Sequence, residues 1–88
     1  MGKFRVFIKP SAVKELEAIP LKKDRQRIAR RIESLADEPR PEGCQKLSGH
    51  DRYRIRQAPY RILYQIRDDV PLVNVIKVGH RKDVYRSL

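Results

Sequence analysis

The sequence predicts an α+β domain: a largely antiparallel four-stranded sheet with two N-terminal helices packed on one face, in the order β-α-α-β-β-β. Three observations carry this prediction. Residues 52 to 56 alternate arginine with apolar groups, and residues 60 to 66 alternate again, so two strands are written side by side. Between residues 21 and 36 the apolar residues instead recur at helical spacing. Tight-turn residues separate the last three strands, which suits neighbours running antiparallel.

Taken in order, Lys3 to Lys9 places Phe4, Val6 and Ile8 on one side and reads as an opening strand that Pro10 ends. Ser11 is the expected N-cap of a short helix, with Val13 and Leu16, joined by Ala12 and Ile19, as its apolar stripe, and Pro20 closes it. The second helix is expected from Leu21 to Ala36, burying Leu21, Ile28, Ile32 and Leu35. Its cations, Lys22, Lys23, Arg25, Arg27, Arg30 and Arg31, read as a solvated outer surface.

Asp37 to Gly43 holds two prolines and a glycine and is the main loop. Gln45 to Leu47 is placed for a brief pairing with a neighbour, and Ser48 to Asp51, including His50, reads as a structural turn into the next strand. The hairpin turns at Gln57, Ala58 and Pro59 into a strand from Tyr60 to Arg67. Asp68, Asp69 and Pro71 turn the chain again, and Leu72 to Val78 is apolar enough for a central strand that Gly79 breaks. The tail from His80 to Leu88 reads as a short helix or a loose end.

Length and charge narrow the function. Eighty-eight residues make a single domain, 1–88, with space for one small site. The excess of 21 basic over 11 acidic residues, a net charge of +10, favours a polyanionic partner, nucleic acid first. The single cysteine, Cys44, excludes an internal disulfide, and with His50 and His80 it makes no zinc-ligand spacing. No metal or other cofactor is expected. Met1 to Arg5 lacks the apolar run of a signal peptide and no stretch suits a membrane span, so a cytoplasmic location is expected.

In a strand from residue 52, Arg52, Arg54 and Arg56 share one face and Tyr53 and Ile55 the other. In the next, Arg61, Leu63 and Gln65 oppose Tyr60, Ile62, Tyr64 and Ile66. With helices on one face of the sheet, the arginines fall on the other. Guanidinium groups match phosphate with paired N–H donors and can stabilise charge that develops on a phosphodiester. Arginine does not release a proton near neutrality, so general base duty falls elsewhere, and His80 and Tyr85 are the nearby candidates. Tyr53, Tyr60 and Tyr64 are read as core aromatics, with stacking on exposed bases as the other use of aromatics beside arginines.

Tyr53-Arg54-Ile55-Arg56, then Tyr60-Arg61-Ile62-Leu63-Tyr64-Gln65, then Val78-Gly79-His80-Arg81 with Tyr85 after it, resemble the RelE family of toxin-antitoxin endoribonucleases, and the likeness covers nearly the whole chain. The resemblance implies a toxin that enters the ribosomal A site and cuts the mRNA there, by metal-independent attack of a ribose 2′-hydroxyl on the adjacent phosphate. It implies Arg61 and Arg81 as phosphate and transition-state arginines and Tyr85 as the C-terminal catalytic tyrosine. Arg54 and Arg56 stand where well-known members carry lysines, one of them a proposed base, which keeps phosphate binding but moves the proton step toward His80 or Tyr85. The implied partners are an acidic, RelB-like antitoxin and the ribosome with its A-site mRNA. The alternatives are a ParE-like toxin that binds DNA gyrase and a basic module that binds RNA without cutting it.

Overall fold

The computed structural model describes residues 3–47 and 51–80. Five strands, β1 (Arg5–Ile8), β2 (Gln45–Lys46), β3 (Arg52–Gln57), β4 (Tyr60–Arg67) and β5 (Leu72–His80), form one sheet in the order β1-β5-β4-β3-β2. The pairs β5-β4, β4-β3 and β3-β2 are antiparallel, and β1 runs parallel to β5. The fold class is therefore the expected one, with the brief pairing of Gln45 and Lys46 as a fifth strand at one edge.

Helices α1 (Pro10–Glu17) and α2 (Lys22–Ser34) cover one face of this sheet. The core between the layers is built from Ala12, Ile19, Ile28, Ile32 and Leu35 of the helical layer against Tyr53, Ile55, Ile62, Tyr64, Ile66, Val73, Val75 and Val78 of the sheet. Phe4, Val6 and Ile8 pack against its margin, while Phe7 points to the opposite face. The strand alternation read from residues 4 to 8 and 52 to 66 is thus the alternation of the fold.

Several local expectations are corrected. Helix α1 begins at Pro10, with Lys9 in extended backbone (φ −55°, ψ 140°) as its N-cap, so Pro10 opens the helix and Ser11 is not its cap. Proline suits a first helical position because its φ is already helical and the missing N–H would have had no intrahelical acceptor. Val13 is exposed: the core-facing stripe is the buried Ala12 and Ile19 with the partly buried Leu16, and Val13 lies beside it. Leu21 is 63% exposed, because α2 starts one residue later and Leu21 is its N-cap. Gly79 does not break β5, which continues through it to His80.

The loop after α2 is fastened to the sheet. Tyr64 is fully buried, and its hydroxyl donates to the carbonyl of Pro39 at 2.7 Å. Its ring stacks on Tyr53 with centroids 5.8 Å apart. Arg40 lies over the Tyr53 ring, donates to its hydroxyl at 3.1 Å, and forks onto Asp68 at 3.1 and 2.9 Å. Gly43 completes the loop at φ +91°, where a residue with a Cβ would be strained. These tyrosines are core and clamp residues, which settles their placement against base stacking on the open face.

Candidate nucleic-acid interface

On the face away from the helices the register lines up three rows across β3, β4 and β5: Arg52, Gln65 and Asn74; Arg54, Leu63 and Lys77; Arg56, Arg61 and Gly79. Directly paired residues project to the same side of a sheet. Arg56 and Arg61 are therefore cross-strand partners on this face. Arg61 is 8% exposed, and it is the charged side chain in the buried set of the described residues. Across from it on β5, Gly79 contributes no side chain.

The edge strand helps to orient this face. Gln45, opposite Arg54 on β2, accepts a hydrogen bond from the Arg54 guanidinium through its Oε1. The clustering of Arg52, Arg54, Arg56 and Arg61 follows directly from the period of two in the sequence.

Lys77 is a member of this face that the sequence reading missed. The register passes from Tyr64 opposite Val75 to Leu63 opposite Lys77, which leaves Ile76 as an extra, unpaired residue in β5. That bulge reverses the phase of the strand. Without it Val73, Val75 and Lys77 would share the core face; with it Val78 becomes the buried residue and Lys77 falls on the same face as its partner Leu63. The signal was present in the spacing of the buried valines, 73, 75 and then 78.

Glu15 of α1 holds this part of β5. Its Oε2 accepts from Lys77 Nζ at 2.5 Å and its Oε1 accepts from the backbone N–H of Val78 at 3.2 Å. Strand β1 pairs with β5 only as far as Val75, and Lys9 N–H donates to the Val75 carbonyl at 2.9 Å. Beyond that point the Glu15 carboxylate supplies an acceptor that a neighbouring strand would otherwise have provided.

His80 is placed differently. It pairs with Tyr60, whose side chain packs on the core side, so the register turns His80 toward the helices and away from Arg56 and Arg61. The two rings meet edge to face with centroids 6.1 Å apart. Arg81 and Tyr85, like His50 and the expected C-terminal helix, lie outside the described residues. Among the described residues no group of His, Cys, Asp and Glu could hold a metal ion.

Electrostatic shifts separate the clamp from the arginine face. Burial pushes the Tyr64 phenol well above the usual tyrosine range, which keeps it protonated and in its bond to Pro39. The Arg40 hydrogen bonds lower the Asp68 carboxyl, and Arg67 does the same for Asp69, with Arg67 Nη2 3.0 Å from Asp69 Oδ2. These acids are occupied at the turn end of the sheet.

Two helices on one face of a mixed, mostly antiparallel sheet define a class of small α+β proteins, and comparison identifies the family. The model of the ParE toxin of type II toxin-antitoxin systems matches residues 6–85, and the chain belongs to this family. It is a toxin of a type II toxin-antitoxin system with a RelE-like fold. The RelE of the archaeal RelE-RelB complex from Pyrococcus horikoshii is 29% identical, with 91% of this chain and 97% of that chain covered and a TM-score of 0.79. The isolated RelE toxin of E. coli is also 29% identical, over 96% and 93% of the two chains, with a TM-score of 0.75. A chain of the RelB-RelE antitoxin-toxin complex from Methanococcus jannaschii is 28% identical, over 93% and 98%, with a TM-score of 0.74. No curated protein sequence matches the chain. Among the described residues no helix is long and apolar enough to cross a membrane.

Proposed function

We propose that this toxin is a ribosome-dependent mRNA endoribonuclease that cuts in the A site. The observation that carries the reading is the basic row on the helix-free face, where Arg56 and Arg61 are cross-strand partners and Arg61 is buried. A phosphodiester seated over this pair meets cationic charge and paired N–H donors. The similarity to RelE toxins at 27 to 29% identity supports the same assignment.

In the proposed reaction the ribose 2′-oxygen attacks the adjacent phosphorus, the 2′-O–P bond forms, and the bond from phosphorus to the 5′-oxygen breaks. A proton leaves the 2′-hydroxyl and another reaches the departing 5′-oxygen. Arg61 and Arg81 hold the phosphate and offset the charge that builds on it, while Arg52, Arg54 and Arg56 bind the flanking backbone. The arginines stay charged throughout and take no proton. Because His80 projects toward Tyr60 on the helix side, we assign proton transfer to Tyr85 and give His80 the task of fixing the end of β5. An acidic RelB-like antitoxin is the proposed resting partner, consistent with the +10 charge and with the RelB seen on the archaeal relatives.

The test is a translating ribosome stalled with a defined codon in the A site. Wild type should cut the message within that codon, and Arg61→Ala should slow single-turnover cleavage by about 100-fold or more, as removal of one transition-state donor does elsewhere. An uncut message would contradict the reading. A second reading, gyrase inhibition, is favoured by the match to the ParE toxin model. Loss of gyrase supercoiling activity on adding the toxin, with the message left intact, would select it.

A further inference from the structure

The basic face continues past Arg54 into a cleft of about 240 Å³ at the corner where β1 enters α1. Its floor is apolar, made of Leu63 and the bulged Ile76. Leu63 is 1% exposed although it lies on the side of the sheet away from the core. Lys9, Ser11, Arg52 and the Lys77–Glu15 pair line the rest of the cleft.

The charges in this ring are unequal. Glu15 is held by Lys77 and the Val78 N–H, whereas Lys9 and Arg52 have no ion-pair partner among the described residues. The cleft therefore presents an apolar floor and a net cationic rim. A carboxylate offers about four lone-pair sites, so Glu15 retains acceptor capacity beyond the two bonds it makes. An apolar surface for a flat ring, cations for a phosphate and an acceptor for ring N–H groups together match one nucleotide of a single strand.

Its position fits the same ligand. The row that holds Leu63 and Lys77 is two residues from the row of Arg56 and Arg61, about 7 Å along the strands. This is a step from one phosphate to the next on an extended RNA strand. We propose that the cleft is a nucleotide subsite that seats the residue adjoining the scissile phosphate, with the base on Leu63 and Ile76 and its phosphate between Lys9, Ser11 and Arg52. The proposal rests on the RNA-cleaving reading of the Arg56–Arg61 face and adds a second binding position to it.

The probe is a trinucleotide RNA with 2′-O-methyl riboses, which cannot be cut by 2′-oxygen attack, titrated to millimolar concentration into the full chain and followed by NMR. Saturable shifts are expected in the Leu63 and Ile76 methyl signals as well as in the Arg56 and Arg61 side-chain signals. The double variant Lys9→Gln, Arg52→Gln should weaken binding by about tenfold, and Lys22→Gln, Lys23→Gln, which removes the same charge from the outer surface of α2, by less than about twofold. Arginine signals that saturate while the Leu63 and Ile76 methyls stay still would overturn the subsite and leave the RNA-cleaving reading standing. Equal weakening in the two double variants would reduce the effect to net charge and also overturn it. The absence of any saturable shift on this face would overturn the subsite and the proposed RNA contact together.

Discussion

At the residue scale the proposed chemistry turns on Arg61, which is buried opposite Arg56 in the strand register rather than left to snorkel into water. Arg56→Ala removes an exposed side chain, so it is expected to leave folding stability little changed while it weakens binding of RNA. Urea unfolding and RNA titration on the same sample measure both effects. Arg40 makes a separate prediction. Asp68 titrates below the usual aspartate range because it accepts from Arg40, so the contribution of this pair is present above the unfolded-state carboxyl range and is lost as pH falls through the lowered folded value. In Arg40→Ala the Asp68 midpoint, followed by side-chain carbon NMR, should return toward the ordinary value near 3.9. Asp69, held by Arg67, should stay where it is.

Elements show where sequence reasoning succeeds and where it stops. The faces of β3 and β4 were legible because a period of two admits only one partition into core and solvent sides, and Tyr53, Ile55, Ile62, Tyr64 and Ile66 fall on the core side as expected. The path of β5 was not, since alternation assumes unbroken pairing and a single extra residue, Ile76, reverses everything after it. Lys77 was hidden for that reason. Pro10 and Ser11 present a different ambiguity: both residue types mark helix starts, and the backbone of Lys9 decides in favour of proline at the first helical position. Arg40 escaped notice because its two partners, Tyr53 and Asp68, are brought to it only by the fold.

Two element-level predictions follow from these joints. Glu15→Ala removes the acceptor for Val78 N–H and the counter-charge of Lys77, and should cost about 1 to 3 kcal/mol in urea unfolding, while Glu15→Gln, which keeps an acceptor oxygen, should recover part of it. Gly43→Ala has open space around the added Cβ but must hold φ near +91°, so backbone strain alone should cost about 1 to 2 kcal/mol. A cost near zero would mean that the loop carrying Pro39 and Arg40 adapts without loss.

For the whole molecule, the two-layer arrangement divides the work: helices and core on one side, cations on the other. A net charge of +10 on 88 residues draws the toxin to polyanions, and so makes binding strongly dependent on salt. The arginine rows then supply a local geometry that charge alone does not. The fold class, the toxin family and the face that carries Arg52, Arg54, Arg56 and Arg61 were all legible in the order and spacing of residues 52 to 81. The side to which His80 projects was not, because a residue at a strand end takes its side from the register, and the register depends on the bulge.

The central claim is that the Arg56–Arg61 face acts on RNA, and single-turnover cleavage on ribosomes with a defined A-site codon tests it most directly. Wild type is predicted to cut within the codon and Arg61→Ala to lose about 100-fold or more in rate, with its folding intact by urea unfolding. Cleavage by Arg61→Ala at the wild-type rate, or an uncut message with both proteins, would contradict the account.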